Sequence, residues 1–539
     1  MQTVERSATI ELGGTSRADA TMEVTAATEA VTVSGDAQAV EKTAVNETVY
    51  DAEFIQALPV GRRLDQIGAL APGVTTNTPN AQQLQISGGF AFDNLFLVDG
   101  VDVIDNMFGD VTVGVVIEEA IAETQILTSG ISAEFGRFSG GVVNAITKSG
   151  GNEFHGSLDI RYTSNDFSEK GDHFDPDIAP TENFPMAATL GGPVIRDRLW
   201  FFGNAQRRDE FTTPVVTSAI VAQQNPNPPR GEFEGWNSGG KLSFTIIPQI
   251  SGFVSVIDSF ADIPLAAAGG LRRPEAQGTQ EQDSRVYSLK LDGVVNPNWL
   301  VNFQVGRHES SLQTAPTSGD LETSQWTNRT GGGVVYDNYS NYQKSDRDRD
   351  LIGVSTTYYV ADLAGSHAFK VGADADKTKF PNVNFTTGSP SSPSFCPAGL
   401  TCGATFTFNG FDAAGNRIPF QQVVTQRQPL TESTGESLAL YAQDEWRPLP
   451  RLTVKIGVRY DRNEYFDELD DSVLEFDRVS PRVGVVWDVF GDAKMVARAN
   501  YGTFYVDAPL TLNRLFDVGF TNFSRVFNWN ATTQQWVGG

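Results

Sequence analysis

The segment RLTVKIGVRY, from Arg451 to Tyr460, decides the fold class because its side chains alternate in character with a period of two. Every second side chain is apolar or aromatic: Leu452, Val454, Ile456, Val458 and Tyr460. The side chains between them are polar or small: Thr453, Lys455, Gly457 and Arg459. Successive side chains of a β-strand point to opposite faces of its sheet. The segment is therefore predicted to be a strand with one apolar and one polar face.

Similar segments follow one another along the C-terminal part of the chain, and the connections between them alternate in length. The segments are RVYSLKLDGVV (Arg285 to Val295), WLVNFQVGRHE (Trp299 to Glu309), HAFKVGADAD (His367 to Asp376), SPRVGVVWDVF (Ser480 to Phe490) and AKMVARANYGTFY (Ala493 to Tyr505). Every second connection is a tight turn, such as NPNW (Asn296 to Trp299) or PLPR (Pro448 to Arg451). The others are long and polar, at about 164 to 183, 209 to 235, 258 to 284, 310 to 349, 377 to 435 and 461 to 478.

Short turns at one end and long loops at the other are typical of transmembrane β-barrels. A strand of about 10 residues with an apolar outer face suffices to cross the hydrocarbon layer. The pattern predicts an all-β transmembrane antiparallel β-barrel between residues 153 and 539, with about 13 strands. Trp200, Trp299 and Trp446 lie beside the short turns, as in an interfacial girdle, although aromatic residues flank turns in other all-β proteins as well.

Composition and motifs exclude several functions. The 539 residues carry a net charge of −26, and no run of basic residues exceeds a pair, so we expect no nucleic-acid partner. No apolar stretch reaches the roughly 18 residues of a membrane-spanning helix. Catalytic signatures such as Gly-x-Ser-x-Gly and His-Glu-x-x-His do not occur, so we expect no enzyme, no cofactor and no metal site. The acidic stretch DRNEYFDELDDS (Asp461 to Ser472) has oxygen ligands for Ca²⁺ but not the spacing of an EF-hand, which favours a solvated loop.

The first 150 residues have a mixed α/β pattern, with candidate helices at Ala52 to Leu58 and Arg63 to Leu70, the second ended by Pro72-Gly73. Three long motifs follow one another here: IQALPVGRRLDQIGALAPGV (Ile55 to Val74), QISGGFAFDNLFLVDGVDV (Gln85 to Val103) and ISAEFGRFSGGVVNAITKSGGNEFHGS (Ile131 to Ser157). In order and sequence they resemble the plug domain of TonB-dependent outer-membrane receptors, most closely the Oar-like members. LGGPVIRDRLWFFGNAQ (Leu190 to Gln206) and LYAQDEWRPLPRLTVKIGVRYD (Leu440 to Asp461) resemble hairpins of the same family.

The resemblance implies four parts of the chain. Residues 1–28 look like the tail of a carboxypeptidase-regulatory-like β-sandwich, 29–44 like a TonB-box segment and linker, 45–152 like a small α/β plug domain, and 153–539 like a partial barrel. The five residues expected to bind the TonB-type energising protein are Glu29, Ala30, Val31, Thr32 and Val33. Their alternation suits strand addition, although the last strand of the sandwich or a linker would read the same.

Two further groups of residues are candidate sites. The residues expected to contact a ligand at the plug apex are Asn77, Asn80, Gln82, Asn106 and Phe108. Cys396 and Cys402 are separated by PAGLT, whose Pro and Gly favour a chain reversal, so a disulfide is sterically available there. Two free thiols in a disordered loop are the alternative.

The function implied by the resemblance is import of a ligand across the cell outer membrane, with outer-membrane lipid and an unknown extracellular ligand as further partners. The alternative is a non-transporting adhesin or sensory receptor that uses the same barrel as an anchor. Barrels of this family close with about 22 strands, so about 9 strands and on the order of 270 residues are expected beyond this sequence. Because no signal peptide precedes the plug either, we expect a fragment of a longer gene product.

Overall fold

The computed structural model describes residues 45–57, 64–78, 83–104, 118–164, 167, 181–212, 214, 216, 218–264, 270–427, 430–492, 494–506 and 523–538. All of them belong to one compact unit, Lys42–Gly539. The sandwich tail and the TonB-box segment predicted within residues 1–44 lie outside the described residues. So do four of the predicted apex residues: Asn80, Gln82, Asn106 and Phe108.

The described elements are short in the N-terminal part and long in the C-terminal part. The helices are α1 (Ala52–Ala57), α2 (Leu64–Gly68) and α3 (Ala219–Gln224). The strands up to residue 164 are β1 (Asn46–Asp51), β2 (Val74–Thr75), β3 (Gln85–Ile86), β4 (Leu95–Val98), β5 (Val101–Asp102), β6 (Ile121–Ser129), β7 (Val142–Thr147), β8 (His155–Ile160) and β9 (Thr163–Ser164). The next ones are β10 (Thr181–Ile195), β11 (Leu199–Thr212), β12 (Gly231–Ile247), β13 (Ile250–Pro264), β14 (Gly278–Asn296), β15 (Trp299–Pro316), β16 (Trp326–Asn328), β17 (Val334–Tyr336) and β18 (Asn341–Val360). The last are β19 (Ser366–Thr386), β20 (Cys402–Phe411), β21 (Arg417–Gln426), β22 (Thr431–Leu449), β23 (Leu452–Phe466), β24 (Ser472–Asp488), β25 (Val496–Gly502), β26 (Ser524–Asn530) and β27 (Gln535–Gly538).

The plug is a five-stranded sheet with the order β1-β6-β7-β4-β5. Both helices predicted from the sequence are present as α1 and α2, each a little shorter than predicted. Asp51 begins α1, because its Oδ1 accepts the amide of Phe54 at 2.7 Å. Gly73, which follows α2, has a φ of +83°. This left-handed backbone conformation ends the helical segment.

The barrel sheet contains fourteen described strands: thirteen in the order β25-β24-β23-β22-β19-β18-β15-β14-β13-β12-β11-β10-β8, and β9, which pairs with β10. All of these pairings are antiparallel. Among the described strands no pairing joins β25 to β8, so the sheet is open. The predicted barrel architecture, including its strand count, is confirmed.

Burial in this sheet is the reverse of that in a soluble protein. On β23 the apolar residues Ile456 and Val458 are 50% and 43% exposed, whereas Thr453 and Arg459 are buried at 7% and 4%. The predicted apolar face therefore points outward and the polar face points into the lumen. This arrangement fits a barrel that is surrounded by lipid and filled by a plug.

The strands are longer than the expected 10 residues, since β10 to β15, β18, β19 and β22 to β24 have 14 to 21 residues. The predicted loop at 461 to 478 was wrong for this reason, because β23 and β24 occupy most of it. Asp461 is buried beside Arg459, with 2.7 Å between its Oδ1 and Nε. Asp467 caps the remaining turn and accepts the amides of Leu469 and Asp471 at 2.9 Å. The acidic stretch is thus not a wholly solvated loop.

The predicted loop at 377 to 435 holds part of a second, six-stranded sheet with the order β17-β16-β20-β21-β26-β27. One face of this sheet packs around Phe406, Val424 and Phe527. A disulfide joins Cys396 to Cys402 at the start of β20, with 5.8 Å between the two Cα atoms. The loop was predicted to be long and polar, and the structure corrects this to a folded cap with its own apolar core.

None of the helices within the described residues has the length and apolar character needed to cross a membrane. The tryptophans predicted at the short turns donate hydrogen bonds there through their indole N–H groups. Trp446 donates to the carbonyl of Ala364 at 3.0 Å and Trp299 to Thr356 Oγ1 at 2.6 Å. Such rings are suited to the interface between lipid and water.

Candidate functional site: the plug and barrel interface

A two-residue turn docks the plug onto the inner face of the barrel. Asp99 and Gly100 connect β4 to β5 and have φ values of +49° and +83°. An Asp-Gly pair is favoured in such a turn because Asp tolerates and Gly readily adopts this backbone conformation. The turn projects toward β12, β13, β14 and β15. The Asp99 carboxylate accepts from β12 and β13, and the Asp99 carbonyl accepts from β14 and β15, so one residue contacts four successive strands.

Lys241 on β12 is the main partner of this turn. Its Nζ donates to Asp99 Oδ1, to Thr147 Oγ1 and to the Thr147 carbonyl, each at 2.9 Å. The side chains of Lys241 and Asp99 are only 4% and 2% exposed. Ser255 Oγ also donates to Asp99 at 3.3 Å, and Gln304 Nε2 donates to the Asp99 carbonyl at 3.2 Å. Every proton of the buried ammonium group therefore has an acceptor.

A second charge network lies beside this turn. Arg137 of the plug donates to Asp102 at 3.0 Å and also pairs with Asp376 on β19. Asp102 pairs in turn with Arg349 on β18. Four side chains of alternating charge thus link the barrel to the plug, with Arg137 and Asp102 of the plug between Asp376 and Arg349 of the barrel. Breaking one pair inside such a network leaves a buried charge without its partner, which is costly.

The plug loop from Ile131 to Arg137 is held mostly through its backbone. Arg459 Nη1 donates to the Glu134 carbonyl at 2.9 Å and to the Ala133 carbonyl at 3.3 Å. Arg482 Nη1 donates to the carbonyls of Ile131 and Ser132, the first at 3.3 Å. Because these contacts are to backbone carbonyl groups, they fix the path of the loop without involving the loop's own side chains.

Glu134 is a second charged side chain of this loop that meets the barrel, besides Arg137, and it pairs with Lys370 on β19. Burial alone would raise the pKa of Glu134, but the ammonium group of Lys370 lowers it below its usual value. The carboxyl group is therefore ionised at neutral pH, and it forms a charge-assisted contact between plug and barrel.

The glycines of the third plug motif permit close contacts. A Cβ on Gly136 would lie 2.4 Å from Arg459 Nε, and one on Gly150 would lie 2.2 Å from the Phe201 carbonyl oxygen. Gly140 and Gly141 meet Asn94 and Ile86 in the same way, whereas Gly151 has no atom within 4 Å. None of these five glycines has a positive φ. Close approach, and not an unusual backbone conformation, explains four of them.

A cavity of about 310 Å³ lies where the plug loop faces the last barrel strands. Its plug wall runs from Thr128 to Ala133, and its barrel wall includes Gln443, Lys455, Arg482 and Asn500. Gln443 Oε1 accepts from Ser132 Oγ at 2.5 Å and from the Ala133 amide at 3.0 Å. The cavity is therefore bordered by polar contacts as well as by apolar side chains such as Phe138 and Phe504, whereas Ile257 and Val286 form an apolar seam with the plug core.

Strand β1 occupies the edge of the plug sheet next to this cavity. It pairs with β6 from Asn46 opposite Ser129 to Asp51 opposite Glu123. At the outer end of the pair, Asn46 Nδ2 donates to Thr128 Oγ1 at 3.0 Å, and Thr128 also lines the cavity. The first described strand of the plug thus contacts Thr128, one of the residues that line the cavity.

Of the predicted site residues, few fall on described positions. Asn77 is exposed and follows β2, and its backbone amide donates to Thr75 Oγ1 at 3.2 Å. The residues that dock the plug, chiefly Lys241, Arg459 and Arg482, were not singled out from the sequence. The available signal was an isolated basic residue on the polar face of a strand, which is common in any protein with solvated strands.

Family profiles match almost the whole chain. The profile described as TonB dependent receptor-like, beta-barrel covers residues 217–536, which is more than half of the chain. The TonB-dependent Receptor Plug Domain profile covers residues 39–143, and an outer membrane beta barrel domain covers 146–251. The chain belongs to the TonB-dependent receptor family. It is an outer-membrane protein, as the members of this family are.

Curated relatives agree with this assignment. The TonB-dependent transporter Oar of Myxococcus xanthus is 25% identical over 86% of this chain and 52% of its own length. The Ferrienterobactin receptor of Escherichia coli is 30% identical over 26% of this chain and 20% of its own. The chain spans about half the length of the relatives that it matches along most of its sequence, Oar and the protein YddB of E. coli.

Solved structures share the fold at low identity. The outer membrane transporter YddB of E. coli has a TM-score of 0.68 at 15% identity, covering 89% of this chain and 66% of that one. The unliganded ferric citrate transporter FecA has a TM-score of 0.58 at 12% identity, covering 90% and 67%. The family is one of receptors and transporters, and its members work with periplasmic TonB-type proteins.

Proposed function

We propose that the protein imports a ligand across the outer membrane, and that a periplasmic TonB-type protein supplies the force that remodels its plug. The observation that carries this proposal is the position of β1. Among the described strands β1 pairs only with β6, at the edge of the plug sheet. A pull on the chain that precedes residue 45 therefore acts on β1 before it acts on any other described element.

The rest of the plug is held much more firmly than β1. Peeling β1 from β6 breaks the pairing a few hydrogen bonds at a time, beginning at the exposed Asn46. Releasing the Asp99 turn would instead leave Lys241 and Asp99 buried without partners, at a cost of several kcal/mol. Force from the N-terminal side thus removes β1 while the turn stays docked. Removing β1 frees Thr128 in the wall of the cavity from its contact with Asn46 and uncovers the edge of β6.

The segment from Glu29 to Val33 is proposed as the contact with the TonB-type protein. Alternating Val31 and Val33 suit addition of this segment as a strand to a partner sheet. Because little chain separates it from β1, tension there is transmitted directly. The proposal retains the four parts of the chain: 1–28 as a sandwich tail, 29–44 as the coupling segment and linker, 45–152 as the plug and 153–539 as the barrel.

A non-transporting adhesin or sensory receptor is the alternative function. An anchor of that kind needs neither a coupling segment nor a plug with an edge strand that a pull can release. The comparisons do not support this alternative.

A labelling experiment in living cells tests the proposal without knowledge of the ligand. Thr124 on β6 is fully buried opposite Tyr50 of β1, so a cysteine in Thr124→Cys reacts with a maleimide only when β1 has moved. We expect labelling in energised cells and none after a protonophore or after deletion of residues 29–35. Ala145→Cys is the control, because Ala145 pairs with Thr124 inside the docked part of the plug and stays unlabelled. Equal labelling of Thr124→Cys with and without residues 29–35 would refute the proposal.

A further inference from the structure

The cavity of about 310 Å³ between the plug loop and the last barrel strands has two cations in its wall. Among its described lining residues, the charged ones are Lys455 on β23 and Arg482 on β24. The other polar ones are neutral, such as Gln443, Asn500 and Ser139. The chain as a whole has a net charge of −26, so the wall of this cavity is opposite in sign to the protein. Two cations that converge on one cavity attract an anion.

Arg482 is deeply buried and has no carboxylate partner among the described residues. It is 7% exposed, and its Nη1 donates to two backbone carbonyls of the plug loop. Its Nε has no hydrogen-bond partner within the described part of the chain. Carbonyl groups solvate a guanidinium group but do not neutralise it, and an uncompensated charge in a protein interior is costly. A carboxylate in the cavity would supply the counterion.

The carboxylates that lie near these cations are paired with other residues. Glu134 is close enough to interact with the charge of Lys455, but it forms its ion pair with Lys370. Asp461 pairs with Arg459, with 2.7 Å between its Oδ1 and Nε. Lys455 itself forms no hydrogen bond or ion pair with a described residue. An anion in the cavity would therefore not have to displace an existing ion pair.

The same cavity has an aromatic side. Phe138 of the plug and Phe504 both line it, and their ring centroids are 5.2 Å apart. The guanidinium group of Arg482 lies over Phe504 at 4.5 Å and over Phe138 at 5.7 Å. The volume is at the lower end of the roughly 300–1,000 Å³ of small-molecule sites. A compact ligand with one carboxylate and one apolar part matches both sides.

We propose that this cavity binds the carboxylate of a small amphipathic ligand. The carboxylate contacts Arg482 and Lys455, because a guanidinium group and an ammonium group are its strongest hydrogen-bond donors. The apolar part lies against Phe138 and Phe504. This inference rests on the proposed function, since it takes the bound molecule to be the one that is imported. The cavity also shares Thr128 with the contact made by β1, so release of β1 changes the wall of the site.

Fluorine NMR of small probes tests the site on the protein in nonionic detergent micelles. The probes are para-fluorobenzoate and its neutral analogue para-fluorobenzamide, which have the same ring and nearly the same size. The effect of micelles without protein is subtracted, so partition into detergent does not count as binding. We expect the benzoate to bind at least tenfold more tightly than the benzamide, because only the benzoate supplies a counterion. Lys455→Gln should weaken benzoate binding at least fivefold and leave benzamide binding unchanged.

Lys290→Gln is the matched control. Lys290 lies on the same face of β14 as Ser288, which contacts the plug, but it is outside the cavity and 3.9 Å from Asp292. This variant should bind the benzoate like the wild type. If Lys455→Gln does not fold, Asn500→Asp places a carboxylate in the cavity instead and should also weaken benzoate binding at least fivefold.

Three results would each overturn the assignment: equal binding of the two probes, unchanged benzoate binding in a folded cavity variant, or tighter binding of inorganic phosphate than of the benzoate. The measurement needs no energised membrane. Its failure would therefore leave the release of β1 untouched, and failure of the Thr124→Cys labelling would leave the carboxylate site untouched.

Discussion

At the scale of single residues, the interface between plug and barrel depends on charges that are fully removed from water. Lys241 makes three hydrogen bonds at 2.9 Å, and two of them lead to Thr147, which itself donates to Asp99 at 2.7 Å. A buried pair of this kind adds little over an apolar contact, but the loss of one partner is severe. Lys241 therefore affects how firmly the plug is bound inside the barrel more than it affects the stability of the barrel itself.

The variant Lys241→Met should loosen the plug. Removing the ammonium group leaves Asp99 buried with an uncompensated charge, at a cost of about 3–5 kcal/mol. We expect plug cleavage by a protease to become much faster in detergent, while the barrel remains folded. Lys379→Met is the control, because Lys379 lies 3.9 Å from Glu432 on the exposed face, where a pair contributes at most about 1 kcal/mol. Similar cleavage rates in the two variants would contradict this account.

Adjacent glycines give a second test at this scale. A Cβ on Gly150 would lie 2.2 Å from the Phe201 carbonyl oxygen and 2.9 Å from that of Gly192, both of which are backbone atoms. Gly150→Ala should therefore lower the free energy of unfolding by roughly 1–3 kcal/mol, as overpacked sites do. Gly151→Ala meets nothing within 4 Å and should change it little. Denaturant unfolding followed by tryptophan fluorescence measures both, and equal effects would show that close approach is not what Gly150 provides.

At the scale of elements, the strands continue beyond the point where their sequence pattern stops. On β23 the outward residues from Leu452 to Tyr460 are apolar or aromatic, and the next two are Arg462 and Glu464. The apolar pattern is imposed by lipid, whereas the pairing is imposed by backbone hydrogen bonds, which do not require an apolar face. The sequence therefore indicates the membrane-embedded part of each strand and not its full length.

The disulfide belongs to the cap formed by the second sheet. Cys402 is buried at the first residue of β20, and Cys396 packs against the same cluster as Phe527. We expect Cys396→Ser/Cys402→Ser to speed proteolysis between residues 387 and 401 without altering barrel melting, because so short a closed loop contributes less than the ~3 kcal/mol of a 15-residue loop. Ser392→Ala/Ser394→Ala, in the same turn, is the control for lost polar contacts. Two reactive thiols in the unreduced, denatured wild-type protein would remove the basis of this expectation.

At the scale of the whole molecule, the antiparallel order of the barrel strands places all short turns at one end. The turn Asp412 to Asn416 belongs to the cap at the opposite end from the turn at Leu363 to Gly365. Both turns are exposed, so their accessibility on cells depends on the side of the membrane and not on burial. The family places the short turns in the periplasm and the long loops outside.

Labelling of single cysteines with membrane-impermeant thiol reagents tests this orientation. Ala413→Cys should be labelled on intact cells, whereas Leu363→Cys should be labelled only after the outer membrane has been permeabilised. The native cysteines do not interfere, since they are joined to each other. Labelling of Leu363→Cys on intact cells, with Ala413→Cys protected, would require the opposite orientation of the barrel.

The sequence by itself determined the barrel, its inside and outside, the positions of its turns, and the two plug helices. These features follow from local periodicity and from turn chemistry, which each segment carries alone. The three-dimensional structure alone decided that Lys241 lies beside Asp99, 142 residues earlier in the chain, and that Arg459 holds the backbone of Glu134. A polar residue on a strand carries no local sign of its partner, since only the closure of the sheet around the plug brings the two together.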